Sequence, residues 1–178
     1  FKKTQDIFNG VMTKENVGFI GMLEHGKAGY KIIVAIAHMH WNPEFRDVKL
    51  VQAAMLMEQL EMLGNQFAKR PSQVKCHENF KPPNYTSGQQ IPTLVCGDFN
   101  STPDSGVYEF LNKGSAPGNH EDFMDHVYGT YTSEGLKHNY ALRSAYSNIG
   151  EMPYTNLTPG VQVNIEYIWS TANTVAAT

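Results

Sequence analysis

The chain has 178 residues, of which 41% are hydrophobic and 17% charged, a balance that is ordinary for a globular domain and excludes disorder as a default. Its formal charge of −3 provides no general basic field, which argues against indiscriminate binding to nucleic acids or membranes. A polyanionic substrate would therefore need a local site, and we expect that site to contain a metal ion.

Three further features of the sequence bear on where the protein works. Its two cysteines, Cys76 and Cys96, cannot form a disulfide framework, so we expect a reducing compartment. No apolar run approaches the roughly 18 residues of a membrane-spanning helix, so we expect no membrane partner. The first 12 residues lack an initiator Met and already show amphipathic patterning, from which we expect that the chain was cut from a longer one.

The first half of the chain predicts two strands followed by a helix. Residues 17–24 and 30–37 are typical of strands, and a glycine-containing hairpin loop joins them. Residues 32–37 are apolar at every position, as expected of a strand that is covered on both faces. From Arg46 to about Gly64, apolar residues recur at three- and four-residue spacing, which predicts a helix with one core-facing stripe.

The second half predicts a long loop, three strands and one short helix. Residues 64–90 are rich in Pro, Ser, Gln and Asn, and we interpret them as a surface loop or an insertion. Residues 91–96 predict the next buried strand, after which Thr102 is expected to cap a short helix. Strands over 141–146 and 163–170 complete an order that predicts layered α/β structure, with the sheet inside and the helices outside.

Two histidines, His38 and His40, follow the apolar residues 32–37 directly. Alternation along an extended chain places both on one face, where they could bind zinc, hydrogen-bond a phosphate or polarise a reacting oxygen. The alternative is that one of them is an interior residue with its hydrogen bonds satisfied. Residues 41–43, Trp-Asn-Pro, predict a rigid corner beside the pair.

Asp98 and Asn100 stand where the strand over 91–96 ends, and we expect both to project from one side of the chain. One anionic and one neutral oxygen form the mixture that magnesium prefers, and Asp98 could orient or deprotonate a nucleophile. Turn and helix-cap chemistry is the alternative. It explains residues 101–104 well and residues 97–100 less well.

Five segments of the chain match one known family in order and spacing. They are residues 38–43 (HMHWNP), 95–101 (VCGDFNS), 103–108 (PDSGVY), 142–146 (LRSAY) and 152–156 (MPYTN). Together they resemble the exonuclease–endonuclease–phosphatase superfamily and, within it, the carbon-catabolite-repressor type of poly(A) deadenylase. The resemblance implies an α/β fold in which a two-layer β-sandwich is flanked by helices. It makes residues 1–178 an incomplete nuclease catalytic domain.

The resemblance also implies an activity and a set of site residues. The activity is magnesium-dependent 3′-to-5′ hydrolysis of poly(A) RNA with release of AMP. The resemblance further implies that the protein is a subunit of a deadenylase complex in the cytoplasm, with the nucleus as a second location. Asp98 would be the general acid or base, and His38 would contact the scissile phosphate. The implied substrate contacts are His40, Pro43, Asn100 and Asn156. The implied magnesium ligands are Asp98, Asn100 and Glu166.

Two positions depart from the family pattern. Glu166 stands where the family has Asp, which moves the carboxylate outward by about 1 Å, and such a displacement is costly in a preorganised site. Val161 stands where an aromatic ring would stack on adenine. On the family pattern, a metal-binding Glu would lie upstream of Phe1 and a Ser-Asp-His motif beyond Thr178. We therefore expect little or no turnover from the 178 residues alone.

Other functions stay open on the sequence alone. The departures at Val161 and Glu166 favour a non-catalytic member that binds RNA or acts as a scaffold in a complex. A related phosphodiesterase acting on DNA or phosphoinositides would show no preference for adenine 3′ ends. Read without its neighbours, Asn156 is a turn residue and Glu166 a solvated carboxylate.

Overall fold

Five strands form one mixed sheet at the centre of the structure, a computed structural model that describes residues 8–74 and 81–175, without the side chains of residues 8 and 9. The strands of the chain are β1 (Gly18–Glu24), β2 (Lys31–His38), β3 (Thr93–Asp98), β4 (Ser115–Ala116), β5 (Leu136–Lys137), β6 (Leu142–Ser144), β7 (Asn156–Thr158), β8 (Val161–Val163) and β9 (Glu166–Thr171). The main sheet has the spatial order β1-β2-β3-β9-β6, with β2 and β3 parallel and the other pairs antiparallel. Two small antiparallel ribbons, β4–β5 and β7–β8, stand apart from it.

The helices connect these strands. They are α1 (Phe8–Met12), α2 (Arg46–Lys69), α3 (Gly106–Lys113) and α4 (Thr130–Ser133), with 3₁₀ turns at Gly88–Gln90, Glu121–Phe123 and Ser147–Ile149. Because β2 and β3 are parallel, the chain must cross over between them, and α2 makes that crossover. None of the helices in the described ranges is long and apolar enough to span a membrane.

The two faces of the main sheet differ in burial. Ile33 and Ala35 of β2 are fully buried in the core with α2, whereas Ile36 is 48% exposed and Phe19 of β1 is 62% exposed. The expectation that both faces of β2 are covered is therefore wrong for the part of the chain that the structure describes. The mixed sheet with its helices confirms the α/β class, and the main sheet accounts for one layer of the implied sandwich. Cys96 is a free thiol, and Cys76 lies outside the described residues.

Helix α2 continues to Lys69, so residues 64–69 of the expected loop are helical. Gly64 does not end the helix. Its missing side chain allows Tyr140 to approach the helix closely, since a Cβ at Gly64 would lie 2.6 Å from the Tyr140 hydroxyl oxygen. The helix ends where the buried Lys31 side chain forms hydrogen bonds with backbone carbonyl oxygens of its C-terminal turn. The Lys31 Nζ donates hydrogen bonds to the carbonyl oxygens of Phe67 and Arg70 at 2.7 and 2.6 Å.

Replacing this lysine predicts a loss of stability. We expect Lys31→Met to lower the free energy of unfolding by about 1–3 kcal/mol, because two hydrogen bonds from a charged donor to the end of α2 are lost. Chemical denaturation of the parent protein measures this difference. Lys113→Met is the control, since Lys113 is exposed and forms only a surface ion pair with Glu109. Equal unfolding free energies for both variants would contradict the prediction.

The helix after β3 begins later than the sequence suggests. Thr102 is not its N-cap: α3 begins at Gly106, and Ser105 caps it by accepting a hydrogen bond from the Tyr108 backbone amide at 3.2 Å. Pro103 therefore lies in a turn that precedes the helix. The start is fixed from elsewhere in the chain, because the buried Asp122 carboxylate accepts a hydrogen bond from the Gly106 amide at 2.6 Å.

The final strand also differs in extent. The prediction joined residues 163–170, but the structure divides them: Val163 ends β8 in the β7–β8 ribbon, and β9 begins at Glu166. The predicted alternation is confirmed within β9, where Tyr167 and Trp169 are buried. Glu166 is consequently the first residue of β9, at the edge of the sheet where β2 and β3 end.

Candidate active site

Three side chains form a row across the ends of β2, β3 and β9. The sheet register pairs His38 with Asp98 and Asp98 with Glu166, and residues paired in this way present their side chains on the same face. His38 Nε2 lies 3.7 Å from Asp98 Oδ2. His38 and Ile36 are two residues apart in β2, so the row lies on the partly open face of the sheet. The structure thus brings together three of the residues that sequence reasoning named, including Glu166, whose own signal was weak.

Asn100 links this row to the loop after β3. Its backbone is in the left-handed region, with φ of 47°, and its amide N–H donates a hydrogen bond to Asp98 Oδ1 at 2.8 Å. Its side-chain Nδ2 donates to the Met39 carbonyl at 3.0 Å, which connects the loop to the end of β2. Asp98 is therefore oriented by its own loop, and that loop is fastened to the strand that carries His38.

A buried lysine that the sequence reading missed supports the same loop. Lys49 of α2 is 5% exposed, and its Nζ donates a hydrogen bond to the Asn100 carbonyl oxygen at 2.7 Å. Burial lowers the pKa of the Lys49 ammonium below its ordinary value, and the nearby Asp122 carboxylate partly opposes that shift. Lys49 thus stabilises the left-handed conformation of Asn100 from the α2 side of the loop.

Tyr167 supports the next residue of the loop from the other side. Its hydroxyl lies within hydrogen-bonding distance of the Ser101 carbonyl at 3.0 Å and of the Asn164 carbonyl at 2.9 Å. Ser101 is buried, and its Oγ donates to the Phe99 carbonyl at 2.8 Å. Burial raises the pKa of the Tyr167 hydroxyl well above its ordinary value, so this side chain remains a neutral donor. Both sides of the loop are therefore fixed by buried groups, as a preorganised site requires.

The remaining predicted substrate residues separate into two groups. Pro43, Asn100 and Asn156 line one cavity of about 420 Å³. Asn156 begins β7 and is not in a turn, contrary to the reading of that residue in isolation. His40 lies past the end of β2 and packs edge-on against Phe45, with ring centroids 5.1 Å apart. Burial lowers the pKa of His40, and the nearby Lys14 and Lys49 charges lower it further.

The cavity wall also carries positive charge. Arg46 and Lys49, both on α2, line it together with Asp122. The Arg46 Nη1 donates to Asp122 Oδ1 at 2.9 Å, so one carboxylate lies between two cationic side chains. Arg46 and Lys49 together carry more positive charge than this one carboxylate balances, so they provide a local positive site in a chain whose formal charge is −3. A polyanionic substrate needs such a site. Neither residue was singled out by the sequence analysis.

Comparison with known proteins shows which proteins this chain resembles. No family model matches the chain. The chain is 55% identical over 179 residues to the CCR4-Not complex 3′-5′-exoribonuclease subunit Ccr4 of Mycosarcoma maydis, with 100% of the chain and 27% of that relative aligned. It is 44% identical to the subunit of the same name from Schizosaccharomyces pombe, over 99% of the chain and 26% of the relative. Over its whole length the chain is therefore similar to Ccr4 exoribonuclease subunits. It spans about a quarter of the length of these relatives.

Solved structures show the same fold at lower identity. The ANGEL2 2′,3′-cyclic phosphatase bound to adenosine-2′,3′-vanadate superposes with a TM-score of 0.65, at 21% identity, over 92% of this chain and 51% of that one. The human Nocturnin catalytic domain gives a TM-score of 0.56 at 21% identity, over 89% of this chain and 42% of that one. Both support the endonuclease/exonuclease/phosphatase fold for this chain.

The donor atoms of the row suit a hard divalent cation. Asp98 and Glu166 are directly paired on neighbouring strands, and the amide oxygen of Asn100 belongs to the adjoining loop. Magnesium takes oxygen ligands, keeps several of its waters and needs only one or two carboxylates from the protein. Within residues 8–74 and 81–175 no group of three or more His, Cys, Asp or Glu is placed to hold a metal. Asp98, Glu166 and Asn100 are therefore the described residues that fit a divalent cation, and they do not form a complete ligand set by themselves.

Proposed function

We propose that the parent protein of this chain is a magnesium-dependent 3′-to-5′ exoribonuclease that shortens poly(A) tails and releases AMP. The observation that supports this most strongly is the row of His38, Asp98 and Glu166 beside the cavity that contains Asn100 and Asn156. The names of the relatives, which are 3′-5′-exoribonuclease subunits of a CCR4-Not complex, agree with it. Membership of such a complex and a cytoplasmic location, with a nuclear pool as a further option, belong to the same proposal.

The chemistry assigned to these side chains is hydrolysis of the last phosphodiester bond. A water molecule forms a new bond to phosphorus while the bond from phosphorus to the 3′ oxygen of the preceding nucleotide breaks, which yields AMP and an RNA shortened by one residue. In this proposal Asp98 accepts a proton from the attacking water, a role for which a carboxylate within hydrogen-bond reach is competent. His38, close to Asp98 and open to solvent, hydrogen-bonds the scissile phosphate.

The cavity contributes binding and orientation. The Asn156 side chain hydrogen-bonds the nucleotide, Pro43 packs against it, and Arg46 and Lys49 attract its phosphate groups. Magnesium bound by Asp98, Asn100 and Glu166 would supply neutralising charge to the phosphate. Because Asp98 and Asn100 are fastened to the same scaffold, substrate held in the cavity is kept beside the general base.

A non-catalytic RNA-binding or scaffolding role is the second candidate. Glu166 favours it, since its longer side chain starts at the position directly opposite Asp98 and so extends a carboxylate further from the sheet than Asp would. This candidate predicts that the parent protein binds tailed RNA and leaves its length unchanged.

Release of AMP by the full-length parent protein distinguishes these functions. We expect AMP from an RNA that ends in oligo(A) when magnesium is present, and none when EDTA replaces it. A matched RNA ending in oligo(U) should be degraded much more slowly. Equal rates on the two tails would contradict poly(A) specificity and leave a general exoribonuclease. Binding of both RNAs with no release of AMP would favour the scaffolding role.

A further inference from the structure

Trp41 is a large aromatic side chain that the structure leaves open at the cavity. It is 70% exposed, although tryptophan is mostly buried in folded proteins, and it lines the same cavity of about 420 Å³ as Pro43, Asn100 and Asn156. Its ring lies next to that of His40, with centroids 6.1 Å apart. An exposed ring at a cavity that also contains the cationic side chains of Arg46 and Lys49 requires an explanation other than core packing.

The backbone around Trp41 is fixed on both sides. Before it, the Met39 amide donates to the Asp98 carbonyl at 2.9 Å and the His40 amide donates to Gln52 Oε1 at 2.9 Å. After it, the Asn42 side chain accepts a hydrogen bond from the Glu44 amide at 2.9 Å. The indole is therefore held on a rigid corner, so that stacking on it would cost little loop entropy.

The surroundings of Trp41 match the parts of a nucleotide. Arg46 and Lys49 supply positive charge for phosphate, and Asn156 supplies an amide that can hydrogen-bond a base or a sugar. These residues do not supply an aromatic ring on which a base can stack. Val161, which lines the same cavity, is aliphatic and does not supply one either. Trp41 offers that ring.

We propose that Trp41 is the stacking surface for a nucleobase near the 3′ end of the RNA substrate. This rests on the proposed function, because it takes single-stranded RNA as the occupant of the cavity. The Met39 hydrogen bond to Asp98 ties the corner to the catalytic strand, so a base stacked on Trp41 fixes the position of the phosphate relative to Asp98. Trp41 is a substrate-binding residue in this proposal and takes no part in bond breaking.

Equilibrium binding by the full-length parent protein tests the proposal. Affinity for a short oligo(A) RNA is measured by fluorescence anisotropy in EDTA, so that the RNA is not hydrolysed. We expect Trp41→Ala to weaken binding roughly 5- to 150-fold, the range that corresponds to loss of one base–aromatic stack, and Trp41→Phe to retain most of the affinity. Tyr30→Ala is the matched control, since Tyr30 is also an exposed aromatic (54%) but directly precedes β2, whose other end is His38.

A second set of ligands shows whether the ring acts on a base. Oligo(A) RNAs with an abasic residue at the last or the next-to-last position lack one stacking partner. For one of them, we expect weaker binding to the wild-type protein and no further weakening in Trp41→Ala. Equal loss in both proteins for both ligands would overturn the proposal, as would wild-type affinity in Trp41→Ala. A large drop in thermal stability for Trp41→Ala would also overturn it, because it would show that the ring is covered by protein in the parent.

These outcomes are separable from failure of the proposed function. If the wild-type protein releases AMP but Trp41→Ala binds RNA normally, the nuclease assignment stands and only the stacking role is lost. If the wild-type protein neither binds oligo(A) nor releases AMP, the proposed function itself fails.

Discussion

Asp98→Asn is expected to lower kcat of the parent nuclease by about 100-fold or more, the range for loss of a general base. An amide oxygen can still accept the hydrogen bond from the Asn100 backbone N–H, now 2.8 Å from Asp98 Oδ1, so the loop should keep its shape. The amide cannot take a proton from water and carries no charge for a cation. Single-turnover release of AMP from oligo(A) RNA measures the effect on the chemical step.

Asp104→Asn provides the matched control for this variant. Asp104 lies six residues further along the same segment, in an exposed turn where its carboxylate accepts a hydrogen bond from Thr102. It should retain wild-type turnover, since the hydrogen bond of its carboxylate is to Thr102 and not to a residue of the row formed by His38, Asp98 and Glu166. Similar rates for Asp98→Asn and the wild-type protein would remove Asp98 from the mechanism. Similar losses in both variants would point to disruption of the segment and not to catalysis.

Much of the site could be predicted because it depends on local patterns. An apolar run that ends in a polar residue is visible in the sequence for both β2 and β3, and His38 and Asp98 are the residues at which these strands end. The structure adds that β2 and β3 are parallel neighbours and so end at the same edge of the sheet, a pairing that the sequence patterns did not predict. The deadenylase resemblance then supplied Asn156 and Glu166, whose local patterns were uninformative.

The supports of the site could not be predicted because they are long-range contacts. Lys49 is 51 residues from Asn100 in the chain, and Tyr167 is 66 residues from Ser101. In the sequence Lys49 is only one polar position in a helical pattern, and nothing indicates that it points into the protein. The helix boundary at Thr102 was wrong for a similar reason, since the side chain that fixes the start of α3 is Asp122, 16 residues beyond Gly106.

Lys49 provides a second test, because its Nζ donates a hydrogen bond to the loop that carries the proposed chemistry. Asn100 has a left-handed backbone, a conformation that asparagine tolerates but does not require, so it depends on partners to hold it. The Lys49 Nζ, at 2.7 Å from the Asn100 carbonyl, is such a partner. If this carbonyl turned away, the Asn100 amide would also shift relative to Asp98, because both belong to one residue.

Lys49→Met is therefore expected to reduce kcat about 10- to 100-fold, since a displacement of about 1 Å in a preorganised site costs up to that much. Methionine keeps most of the length and apolar volume of lysine but cannot donate to the carbonyl. Because Lys49 also lines the cavity, KM should rise as well, by a smaller factor than kcat falls. Steady-state release of AMP by the parent protein, with kcat and KM determined separately, measures both changes.

Lys31→Met is the control that separates positioning from stability. Both lysines are buried, and both donate to backbone carbonyls, but Lys31 binds the end of α2 at the opposite end of β2 from His38. At a temperature where both variants are folded, we expect Lys31→Met to keep wild-type kcat and Lys49→Met to lose it. An equal loss in both would mean that activity follows stability. Wild-type kcat in Lys49→Met would show that Asn100 holds its conformation without the lysine, through its own hydrogen bonds to Asp98 and Met39.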